Sequence, residues 1–191
     1  NDTGSETDGD VEIDGGTTNL IIGLSTIDGD LDIVSGGTIT DAVGETVTIR
    51  GNISATTDAN NSDITLDSLE VGGAYILTPH GTGAVTIVNA NGIDFVAMTV
   101  RGNFFATATT GNITQSGALT ITGTSTLVTS ADNATITLND GGNTFTGKLL
   151  ITTNDNNSPS DSTYAAHVTI HGGTTDLKIG LSTIEGNLTL L

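Results

Sequence analysis

Short aliphatic pairs, each split by a single residue, run from one end of the chain to the other. Val11/Ile13, Leu20/Ile22 and Leu31/Ile33 come first, followed by Val47/Ile49, Ile64/Leu66, Tyr75/Leu77, Val85/Ile87 and Met98/Val100. Leu119/Ile121, Ile136/Leu138, Leu149/Ile151, Val168/Ile170, Leu177/Ile179 and Leu188/Leu190 complete the series. The i, i+2 spacing puts both side chains of a pair on one face of a short strand. Gly, Asn and Asp bound these windows, and no stretch carries a helical period. The pattern predicts an all-β chain of short strands and tight corners.

Strand starts fall 9 and then 11 residues apart at Val11, Leu20 and Leu31, and the same intervals return at Val168, Leu177 and Leu188. Their sum predicts coils of about 20 residues. Asp14–Val34 (DGGTTNLIIGLSTIDGDLDIV) matches His171–Leu191 (HGGTTDLKIGLSTIEGNLTLL) at a distance of 157 residues. Extended back to Asp10 and His167, the ungapped match covers 25 residues with 15 identities. Duplication at a fixed period marks a repeat array. The expected organisation is a lead-in or linker over 1–9, one repeat unit over 10–166, and the start of a second unit over 167–191.

Two architectures accommodate such strands. A β-sandwich or jelly roll would use Asp8-Gly9, Asp14-Gly15, Asp28-Gly29, Asn91-Gly92 and Asp140-Gly141 as hairpin turns. A parallel β-helix, or β-solenoid, explains better why the strands are so short and why aromatic residues make up only 3% of the chain. Its narrow interior stacks Ile, Val, Leu and Thr. Nine or ten coils about 4.8 Å apart predict a rod on the order of 45 Å long. The stretches Thr56–Asp63 and Thr153–Thr163, the second holding Pro159, are expected as longer corners or loops.

Composition narrows the partners. Four basic against 22 acidic residues give a formal net charge of −18. Recognition of nucleic-acid phosphates needs clustered Lys and Arg, and docking on anionic membranes needs the same. Neither partner is expected. There is no Cys to report a redox compartment, and no apolar run reaches the length of a membrane span. The start at Asn1, without Met or a signal-like segment, is read as an exported fragment of something longer.

Gly111–Gly147 (GNITQSGALTITGTSTLVTSADNATITLNDGGNTFTG) resembles the repeats of bacterial filamentous-haemagglutinin-like exoproteins and related large β-strand-repeat adhesins. The pieces that carry the likeness are GNITQSGALTITG and ATITLNDGGNTFTG. VTIRGNISATT (Val47–Thr57) and MTVRGNFFATA (Met98–Ala108) give a looser echo. The resemblance implies a right-handed parallel β-helix at the cell surface or released as fibre. It marks an architecture and carries no chemistry with it.

Candidate chemistry is sparse. Asp8, Asp10, Glu12 and Asp14 alternate, as do Asp28, Asp30 and Asp32. On a strand each set shares a face, which suits calcium if other oxygens complete its shell. The bland alternative is a solvated strand face. The second copy argues for that alternative, because His167, Thr169 and His171 replace Asp10, Glu12 and Asp14. Arg50 and Arg101, each followed by Gly-Asn, are expected at equivalent corners of related coils. Asn-x-Ser/Thr sequons begin at Asn1, Asn52, Asn60, Asn112, Asn133, Asn156 and Asn187. No nucleophile, base or paired carboxylate stands out.

The expected function is a non-catalytic, extracellular structural fibre or adhesin segment that extends by tandem units or head-to-tail self-association. Host or matrix glycans are the other partners such a surface would meet. No cofactor is expected beyond the calcium alternative. Two competing readings remain: a carbohydrate-active β-helix of lyase or hydrolase type, and a calcium-dependent surface-layer or matrix module.

Overall fold

The computed structural model describes residues 9–155 and 166–191. Asp8, all but the last residue of the expected linker, and the loop around Pro159 lie outside the described residues.

The chain winds as a parallel β-solenoid of about eight turns of ~21 residues. One long sheet contains nine strands: Val11–Asp14, Leu31–Ser35, Ile53–Thr57, Ala74–Thr78, Ile93–Phe95, Ile113–Gln115, Ile136–Leu138, Val168–Ile170 and Leu188–Leu190. A second runs through Leu20–Ile22, Ile39–Asp41, Ile64–Val71, Val85–Asn89, Phe104–Ala108, Ser125–Asp132, Lys148–Asn154 and Lys178–Ile179, with Ser25–Ile27 and Val47–Ile49 alongside. A short third sheet stacks Met98–Val100, Leu119–Ile121 and Thr144–Phe145. Every strand pairing among the described residues is parallel, so the Asp-Gly and Asn-Gly dipeptides turn corners of the coil and close no hairpin.

Nine or ten coils is therefore an overcount. Register partners lie 20 residues apart at Val11–Leu31, 22 at Leu31–Ile53, 23 at Ile113–Ile136 and 32 at Ile136–Val168. Polar corners of variable length use up chain without adding turns, and the rod shortens to about 40 Å.

Alternation builds the core directly. In Val85–Asn89 and Phe104–Ala108 the first, third and fifth residues are buried, while the second and fourth are half-exposed. Isoleucine, leucine and valine stack in columns along the axis. The few large aromatics cluster inside them: Tyr75 packs on Phe95 with ring centroids 5.9 Å apart, and Phe95 meets Phe104 edge-on at 5.1 Å. The Tyr75 hydroxyl is buried and has no hydrogen-bond partner. Burial also drives its ionisation far above the usual tyrosine range. An unpaired buried hydroxyl costs about 1–3 kcal/mol. Tyr75→Phe is therefore expected to stabilise the fold by about 1 kcal/mol, read as a higher melting temperature. An unchanged or lower one would mean that the hydroxyl has a partner.

Where coils touch at corners, side chains must vanish. At Gly83, Gly102, Gly123 and Gly147 an added Cβ would overlap a carbonyl oxygen of the coil before, that of Ser62, Gly83, Gly102 and Gly123 in turn. Backbone φ is not the constraint here. The close approach of consecutive coils is.

Candidate functional site

The residue just before a strand does the most chemical work in this molecule. Asp10 Oδ1 accepts the N–H of Asp30 at 2.8 Å, Asp30 Oδ1 that of Asn52 at 2.7 Å, and Asn52 Oδ1 that of Ala74 at 2.8 Å. Asn112 does the same for Thr135 at 2.8 Å. A second corner repeats the device: Asn19 to Thr38 at 3.0 Å, Asp63 to Ala84 at 2.7 Å and Asn103 to Thr124 at 3.0 Å. Each bond satisfies an amide that the corner removes from the sheet ladder. Short Asn and Asp side chains suit this because their oxygen sits one bond beyond Cβ–Cγ, within reach of the next coil.

This geometry redistributes the acidic candidates. Asp10 and Asp30 are corner acceptors, Asp14 Oδ1 caps its own turn through the Gly16 N–H at 2.8 Å, and Asp28 pairs with exposed Arg50. Glu12 and Asp32 are register neighbours on the exposed face of the first sheet, where like charges repel. Among the described residues, no group of three or more His, Asp or Glu converges in a way that could hold a metal ion.

The histidines of the second copy take over the aspartate roles. His167, at the position of Asp10, accepts the Asn187 N–H on Nδ1 at 2.9 Å; His171, at the position of Asp14, accepts the Gly173 N–H at 2.9 Å. Both are lone-pair acceptors, and the corner asks for nothing else. His167→Asp is expected to keep the stability of the terminal coil, and His167→Ala to lose about 1 kcal/mol. Local hydrogen exchange at Asn187 reads both, and equal behaviour of the two variants would refute the acceptor role.

Arg50 and Arg101 do not occupy equivalent corners. Arg50 precedes the corner into the nine-stranded sheet, and Arg101 precedes the corner into the second sheet. The shared R-G-N sequence is a local construction, strand then Gly-Asn corner then five-residue strand, used at two different edges of the rod. The sequon residues Asn52 and Asn112 both serve as corner acceptors through Oδ1.

Two further acceptors lie inside. Asn89 accepts the Val71 N–H at 2.8 Å and donates to the carbonyls of Val71 and Gly92. Asn143 accepts from Leu119 N–H and from Gln115, and donates to Gln115 and the Leu138 carbonyl. At the flank, Asp41 takes the N–H groups of Asp67 at 3.2 Å and Ser68 at 2.6 Å. Burial raises its ionisation above the usual value, against the lowering effect of those bonds. The folded chain thus holds this proton more readily than the unfolded one. Its contribution to stability is full at low pH and fades as pH rises through the folded value. Asp41→Asn is expected to flatten that part of the acid stability profile.

Surface relief is modest. A depression of about 320 Å³ beside Gly72, Gly73, Asn91, Asp94 and Thr114 adjoins one of about 290 Å³ beside Arg50, Glu70 and Asn91. A more apolar one of about 480 Å³ lies between Ile21, Val43 and Asp41. All three are open to solvent.

A family model described as "repeats of unknown function (DUF5649)" matches residues 8–78 and 82–152. The chain belongs to this family. No curated protein and no solved structure matches it. The first DUF5649 match takes in four strands of the first long sheet, Val11–Asp14 to Ala74–Thr78; the second takes in Val85–Asn89, Phe104–Ala108 and Ser125–Asp132 of the second sheet and ends within Lys148–Asn154. The DUF5649 repeat is thus several coils of solenoid. Its polar residues build the corners between them.

Proposed function

We propose that this DUF5649 chain is a non-catalytic segment of an extracellular structural fibre or adhesin, extended by tandem units. One observation carries the reading. The first sheet pairs coil to coil, always in parallel, from Val11 to Leu190 without a break. Backbone hydrogen bonds therefore lie along the rod and bear axial load, while Asp and Asn side chains tie its corners. The likeness of Gly111–Gly147 to filamentous-haemagglutinin-like exoproteins supports a surface role. The −18 charge supports solubility and argues against nucleic acid. No cofactor enters this role, and chelators are expected to leave melting unchanged.

Negative-stain imaging of native material, with protease shaving of intact cells, tests the proposal. Filaments accessible to protease support it; isolated particles inside the cell overturn it. A second reading draws on the adjoining depressions at Arg50, Glu70 and Asp94, which bring both charge signs to one groove. Turnover of an acidic polysaccharide, abolished by Glu70→Gln or Asp94→Asn, would establish that reading instead.

A further inference from the structure

The internal duplication shows what should cover the last coil. Residues 10–34 and 167–191 are the same coil twice, but the first is covered by residues 35–57 and the second lies open. Leu31, Ile33 and Ile22 are 1%, 0% and 6% exposed, whereas their counterparts Leu188, Leu190 and Ile179 are 40%, 46% and 36% exposed.

The polar contacts tell the same story. In the first copy three side chains receive the covering coil: Asn19 accepts the Thr38 N–H, Asp30 accepts the Asn52 N–H, and Asp28 pairs with Arg50. Their counterparts are Asp176, Asn187 and Glu185, so an acceptor stands at each position. The side chains of Asp176 and Asn187 have no partner among the described residues, while Glu185 accepts from Asp155 N–H. By contrast Glu12, Ile21 and Asp32, which point outward and receive nothing of the kind, have changed to Thr169, Lys178 and Thr189.

We infer that the open face of coil 167–191 is a docking surface for a coil of the 35–57 pattern from a further repeat unit. Its partner brings inward aliphatics at the positions of Ile39, Val47, Ile49 and Ile53, an arginine at the position of Arg50, and a corner amide at the position of Asn52. Charge selects this occupant over the first coil of a second copy. Stacking residues 10–34 there would set Asp28, in place of Arg50, against Glu185. Two carboxylates would meet where one ion pair is built.

The inference rests on the tandem part of the proposed function. It is scored on the purified chain, so failure of the extracellular or adhesive role leaves it standing. The test appends a copy of residues 35–57 after Leu191 and compares it with the same graft carrying Asp at the positions of Val47, Ile49 and Ile53. The native-pattern graft is expected to raise the melting temperature and slow amide exchange of Leu188–Leu190 by about tenfold or more; the Asp graft does neither. Equal behaviour of the two grafts overturns the inference. So does an ungrafted chain that sediments as end-to-end oligomers with those amides already protected, since a second copy would then be the occupant.

Discussion

Phe104→Ala should cost about 3–5 kcal/mol, the largest effect expected of any single side-chain truncation in the rod. Phe104 is buried at mid-length, pairs in register with Val85 and Ser125, and meets Phe95 edge-on. Nothing nearby can collapse into the gap. Its neighbours along the axis are fixed by sheet hydrogen bonds about 4.8 Å apart. At ~2–4 °C per kcal/mol for a chain of this size, the melting temperature should drop by roughly 10 °C. Thermal denaturation followed by circular dichroism measures it. Phe104→Leu, which restores most of the volume, should recover more than half. A drop below 2 °C for the alanine variant would mean that coils close up along the axis, contrary to the packing described here.

Asn143→Ala should be almost as damaging, though it removes only an amide. Truncation leaves the Leu119 N–H and Gln115 Oε1 without a partner, around a residue only 1% exposed, while the Leu138 carbonyl keeps the His171 N–H and Gln115 Nε2 keeps the Gly117 carbonyl. Each orphaned group costs about 1–3 kcal/mol, so a total near 3 kcal/mol is expected. The double variant Asn143→Ala/Gln115→Leu separates this from loss of packing. It should recover part of the loss because one orphan is removed with its partner. Additive losses in the double-mutant cycle would show that the two amides act independently.

The architecture was readable from the chain because aliphatic alternation reports inward faces without reference to distant contacts. Val85/Ile87 and Leu119/Ile121 lie in the core as that alternation implies. Reading only aliphatic residues stopped one step short, however. The alternation Val85, Ile87, Asn89 continues inward, and Asn89 is fully buried. Asn143 carries no such signal. It enters the interior from a corner, and its partners Gln115 and Leu119 belong to the preceding coil. The corner role of the acidic residues was hidden for a related reason. Spacing along a strand shows which carboxylates share a face, but a corner aspartate bonds to a residue some twenty positions later. Asp10 and Asp30 spend their oxygens there. The histidine replacements could have revealed this, because imidazole and carboxylate have in common a lone pair and little else.

The column of bare corners at Gly83, Gly102, Gly123 and Gly147 constrains how such a protein can change in length. Each glycine leaves room only for hydrogen against the peptide above it. An insertion or deletion that is neither a whole turn nor taken up in a corner would push a substituted carbon into that space. Gain and loss of sequence are thus tolerated as complete windings, or as excursions thrown clear of the stack. Growth of the family by copying entire blocks is the outcome that this steric rule imposes.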